Sequence, residues 1–152
     1  MNIFLTSFDV RIAASHLDDL RLNKMILETA QLLSGAYKYL FGDHKLLYKQ
    51  THINHPCSIW ARKNIDTYSW LVDYFDAVAQ EKLKRDIFMK EKNAKYHESY
   101  NRLFELFYSK KTNAYLKQIS AEFFDFNCTE FKDESDIREA YQKQMVKKWN
   151  NG

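Results

Sequence analysis

A chain of 152 residues, 45% apolar and 16% aromatic, is long enough to bury a core of its own and too apolar for a disordered segment. Three Gly and one Pro are too little turn punctuation for a strand-rich fold, and no run approaches the about 18 uncharged apolar residues of a membrane span. The net charge of +3 is unevenly placed: residues 82–118 hold ten Lys or Arg against four Asp or Glu, whereas the first forty residues balance at four against four. MNIFLTSFDV carries no basic leader ahead of an apolar run, so the expectation is one cytoplasmic all-α domain over residues 1–152. About five helices are expected, two of them long and central, with a short extended N-terminal segment.

NIFLTS reads as that extended segment, packed on helices, and Asp9 can cap a short helix running to about Leu17. From Asp18, the residues Leu22, Ile26, Ala30, Leu33, Tyr37 and Leu40 recur at steps of three and four until Gly42 stops the helix. DHKLLYKQTHINHP has mixed polarity and the sole proline, so it reads as a loop ending where Pro56 opens the next helix. That helix is predicted to run unbroken to at least Leu83, with Trp60, Thr67, Leu71, Tyr74 and Val78 on one stripe and Trp60 in the core. A fourth helix is expected around Tyr96, Tyr100, Leu103 and Phe107. A last one, capped near Asp133 to Asp136, carries Ile137, Tyr141, Met145 and Trp149. Cys57 and Cys128 are expected to be reduced and partly buried.

Three constellations could carry chemistry. Arg21, Lys24, Glu28, Gln31 and Gly35 share one line of the second helix, facing away from Leu22, Ile26 and Leu33. As a solvated face it would hold a Lys24 to Glu28 ion pair worth about 0.3–0.5 kcal/mol. As a site, an ionised Glu28 would support a cationic transition state or activate water while Arg21 and Lys24 grip phosphate. His16, Asp18 and Asp19 stand just upstream, where the aspartates also read as helix caps. In THINHPCSIWARKN, a helix start offers backbone N–H groups at Cys57 and Ser58, with Arg62 and Lys63 one turn on, as a phosphate seat. His52, His55 and Cys57 lack a second paired set of ligands, so no metal and no cofactor are predicted. The basic, Tyr-rich stretch supplies Arg85, Lys92, Lys95, Lys110 and Lys111 to neutralise phosphates, with tyrosines to stack on bases.

NIFLTSFD, HLDDLRLNKMILETAQLLSGA, THINHPCSIWAR and REAYQKQMVKKW, in this order, resemble a family of small, poorly characterised phage proteins over nearly the whole chain. The first 85 or so residues also resemble, more distantly, the phage-type pyrimidine-dimer DNA glycosylase, often called endonuclease V. The likeness rests on the extended N-terminus, a short helix ending in His16-Leu17, Arg21, a basic residue at Lys24, a loop ending in a His, and a long aromatic-rich helix closing in EKLKR. The resemblance implies an all-helical domain that flips a base from duplex DNA, with His16 and Arg21 in binding. It further implies an N-terminal amine that attacks the sugar C1′ and an acid directly after the Arg that stabilises the cationic sugar. Two positions depart: residue 2 is Asn, which does not favour Met1 removal, and Leu22 follows Arg21, leaving Glu28 as the nearest acid on that edge.

The expectation is therefore an enzyme that processes DNA bases in the cytoplasm of an infected bacterial host, excising a damaged or modified pyrimidine. Group transfer to a thymine-derived base and a non-catalytic module binding DNA or a host protein are the alternatives. Catalytic roles fall to Lys24, Glu28, His55 and Asp19, and substrate contacts to His16, Arg21, Gln31, Cys57, Ser58 and Arg62. Lys63, Arg85, Lys92, Lys95, Lys110 and Lys111 would hold the duplex.

Overall fold

The computed structural model describes residues 2–151, and every regular element among them is helical. Helix α1 (Val10–Ser15) is capped by Asp9, whose carboxylate accepts the Arg11 and Ile12 N–H groups at 2.9 and 3.1 Å. Helix α2 (Asp19–Phe41) starts at Asp18, which accepts the Arg21 N–H at 2.9 Å, and stops at Gly42. Gly42 has φ of +99°, a conformation a Cβ would strain. The buried side of α2 holds Leu22, Met25, Ile26, Ala30, Leu33 and Tyr37, the face its 3.6-residue period dictates.

The long helix expected from Pro56 is two helices, α3 (Pro56–Ala61) and α4 (Ile65–Phe88). Asn64 makes the break. Its side chain accepts the Asp66 and Thr67 N–H groups, both at 2.9 Å, while the Thr67 hydroxyl accepts the Asn64 N–H at 3.3 Å. This reciprocal capping box satisfies the open amides of α4 locally, so the chain can turn between two segments that share one apolar rhythm. Helices α5 (Glu98–Tyr108) and α6 (Ile137–Asn150) follow, separated by two short 3-10 turns at Ala114–Lys117 and Ala121–Phe123. The count is thus six helices among the described residues, against about five expected.

Helices α2 and α4 pack on each other as the central pair, with α1 and α5 against α4. The extended N-terminal segment buries Ile3, Phe4 and Leu5. Trp60 is a core residue: its ring stacks on Phe124 at 5.6 Å and its indole N–H donates to the Phe123 carbonyl at 2.9 Å. Trp70 likewise stacks on Tyr74 and reaches the Phe8 carbonyl at 3.1 Å, so two large indoles are buried with their polar atoms satisfied. Trp149 departs from its expected place in the apolar stripe. It is half exposed, and its N–H donates to the Asp18 carboxylate at 2.8 Å. Among the described residues no helix is long and apolar enough to cross a membrane.

Candidate active site

The first half of the polar edge of α2, the N-terminal segment and the end of α6 enclose a cavity of about 310 Å³ lined by Asn2, Phe4, Leu20, Arg21, Lys24, Met25, Glu28 and Lys148. That is at the small end of ligand pockets, which run from about 300 to 1,000 Å³. Arg21 is half-buried and its guanidinium holds Asp18 at 2.8 Å. Burial pushes the Asp18 carboxyl up, but the Arg21 amide, the Arg21 guanidinium and the Trp149 indole together hold it below its ordinary value. Lys148 lies over the Phe4 ring at 5.9 Å. Among the described residues neither Lys24 nor Glu28 has an ion pair, so the pair expected between them is not formed. Three cations around one half-buried carboxylate give the cavity a positive balance.

Behind this cavity lies a second polar group. Asn2 Oδ1 accepts the Ile3 N–H at 2.8 Å and the Tyr141 hydroxyl at 2.7 Å, and stands 3.6 Å from the Cys57 thiol. Tyr74, fully buried, has a hydroxyl with no hydrogen-bond partner, and burial, with the Glu28 charge, keeps its proton on. Cys57 and Cys128 are free thiols whose sulfurs lie within 4.8 Å of each other. The neighbouring Cys128 thiol, and then burial, drive Cys57 far up. The Cys57 thiol beside it, opposed by partial burial and aided by Lys132, holds Cys128 down at about 7. The phosphate seat expected at the start of α3 is not open at Cys57: its N–H is taken by His55 Nδ1 at 3.1 Å. Burial above all, with a smaller contribution from His52, lowers the His55 pKa, which favours the neutral ring that accepts this bond.

The other expected site residues are spread more widely. Gln31, Ser58 and Arg62 do come together one turn further along α2, with Gly35 and Gln50, but the gap there is only about 10 Å³. A Cβ on Gly35 would stand 3.2 Å from the Gln50 side-chain amide, so the glycine leaves room for that side chain against the helix. Arg62 donates to the Ile53 carbonyl and lies over Tyr39. His16 is bonded to Thr6 at 2.9 Å and lines a separate cavity with Asp136 and Arg138. Asp19 is exposed and pairs with Arg85 at 3.0 Å, outside the cavity of Lys24 and Glu28.

Half of the ten cations in the basic stretch are engaged with their own protein. Lys111 is almost fully buried against Asp73 at 3.2 Å and Lys110 sits over Phe41; outside the stretch, Lys63 holds Asp125 at 2.6 Å. Tyr96, Tyr100 and Phe104 stack on one another at 4.6 Å, and the two hydroxyls reach Gln80 and Asp76. Lys92 and Lys95 are exposed in the segment after α4. Sequence reasoning missed Asn2, Phe4, Lys148 and Cys128. Lys148 had a signal, since it follows Met145 by three residues and Tyr141 by seven on the inward side of α6.

The sequence profile of a family described as pyrimidine dimer DNA glycosylase matches residues 1–97, which hold α1 to α4 and every cavity residue except Lys148. The chain belongs to this family. No curated protein and no solved structure matches it. Within the family frame, Leu22 is fully buried in the core, so the position after Arg21 cannot present a side chain to the cavity. Glu28 is the carboxylate that lines it. Met1, whose removal would expose the amine that the glycosylase resemblance singles out, lies outside the described residues.

Proposed function

We propose that the protein excises a damaged or modified pyrimidine from duplex DNA, drawing the extruded nucleotide to the cavity of Arg21, Lys24 and Glu28. The observation that carries this reading is an unpaired, half-buried carboxylate among three cations within a glycosylase-family domain. Arg21, Lys24 and Lys148 neutralise the phosphates flanking the flipped nucleotide, and the weaker stacking of a damaged base lowers the few kcal/mol that flipping costs. As the bond from C1′ to the base breaks, its electron pair leaves with the base and the sugar becomes cationic. Glu28 faces that charge and stabilises it, or takes the proton of an attacking water.

The test is base release from duplexes carrying one pyrimidine dimer or one modified pyrimidine, with and without borohydride. Release with a trapped covalent adduct assigns the attack to an amine; release without one assigns it to water. Duplexes that are bound but never lose a base overturn excision. The buried leucine after Arg21 favours one second reading, transfer of a group to a thymine-derived base in place. It requires a change in the mass of the duplex with no abasic site.

A further inference from the structure

We propose that His55, Cys57 and Cys128 form a binding site for one thiophilic divalent cation of the zinc class. The three donor atoms, one imidazole nitrogen and two sulfurs, lie within 4.8 Å of one another. Tetrahedral bonds of about 2.3 Å to sulfur and 2.0–2.1 Å to nitrogen set donors about 3.5–3.8 Å apart, so small side-chain rotations close this group on an ion. Two thiolates and a neutral imidazole cancel a divalent charge, which is the combination that allows a cation at a mostly buried place. One position remains for solvent.

The surroundings are already organised. The Cys128 N–H donates to the Tyr141 hydroxyl at 3.3 Å, and that hydroxyl donates to Asn2 Oδ1, which also faces the Cys57 thiol. These bonds fix both sulfur-bearing segments before any ion arrives, as outer partners of metal ligands do. His55 must exchange one role for another. An ion on Nδ1 uses the lone pair that now accepts the Cys57 N–H, and an ion on Nε2 puts a proton on Nδ1. Either way the cap of α3 gives way to a metal bond.

Cys128 lies beyond residue 97, where the family match ends, so the ion would tie this chain's own C-terminal part to the helix start behind Asn2 and the cavity. The role is that of a clamp, and it does not depend on the excision chemistry. Spacing along the chain could not reveal it, because His55 and Cys57 find their third partner in a distant loop, while His52 is not in the group.

Titration of the reduced, chelator-treated protein with Co(II) tests the site. One equivalent should bind with thiolate-to-metal charge-transfer absorption and tetrahedral d–d bands, and Zn(II) should displace it. Cys128→Ser should weaken uptake by an order of magnitude or more while keeping the helical circular dichroism, and His55→Ala should weaken it as well. His52→Ala should leave it unchanged. Wild-type protein that takes up no Co(II), whether its thiols are then found free or joined, overturns the proposal. So does uptake that survives Cys128→Ser and His55→Ala intact.

Discussion

The polar edge of α2 and the basic run of residues 82–118 make opposite uses of charge. The run holds ten cations against four anions, yet Lys82, Arg85 and Lys111 are paired with Asp86, Glu81 and Asp73, and Lys110 and Arg102 lie over rings. The first forty residues, which hold the edge, are balanced in sequence, yet the edge presents Lys24 and Glu28 to one cavity without pairing them. A count of charges alone therefore does not say which of them are free for a ligand. Charges that the fold leaves without partners at a concave surface are the ones available to a ligand.

The largest expected effect tests the edge. Glu28→Gln keeps size and hydrogen-bonding capacity but removes the charge, so base release should fall by roughly 10²–10⁴, with DNA affinity held within about twofold. A parallel fall in affinity and turnover would make the edge a binding surface and nothing more. Next in size, replacing Lys24 and Lys148 together by Ala should weaken duplex binding about tenfold and lower the salt slope of log affinity by about 1.8, two phosphates at about 0.9 each. The same pair of changes at Lys92 and Lys95 should do less. If it does more, the comparison between the two regions is inverted.

How far the sequence reaches is visible in these same residues. The 3.6-residue period of α2, the Asp18 cap and the Gly42 stop were all legible, because each is a local rule, and the line of Arg21, Lys24 and Glu28 followed from it. The break at Asn64 was not, since a capping box between two helices of equal apolar rhythm leaves that rhythm undisturbed. The partners of the basic run were not legible either. Asp73 meets Lys111 only after α4 and the segment behind α5 have packed, and it also accepts the Tyr115 hydroxyl.

A moderate effect follows at that pair. Lys111→Met removes the cation from a half-buried carboxylate and should lower stability by about 1–3 kcal/mol, read as a shift in denaturant midpoint at constant slope. DNA affinity should stay within about twofold. A loss of affinity with stability intact would return Lys111 to the binding surface.

The smallest effect lies where the two uses of charge meet. Asp18 both caps α2 and holds the guanidinium of Arg21, a cavity residue. Its folded pKa is depressed below the unfolded value of 3.8, so the stability it contributes is complete above 3.8 and is lost as pH falls through the lower folded value. Asp18→Asn retains a side-chain oxygen for the Arg21 N–H but no charge, and should cost about 0.5–1 kcal/mol at neutral pH. Because the neutral side chain no longer titrates, the gap between wild type and variant should narrow in acid and close below the folded pKa of Asp18. Chemical denaturation of both proteins between pH 7 and pH 2 measures it. A gap that stays constant across that range would mean that Asp18 acts through its shape alone, and that Arg21 reaches the cavity without help from its charge.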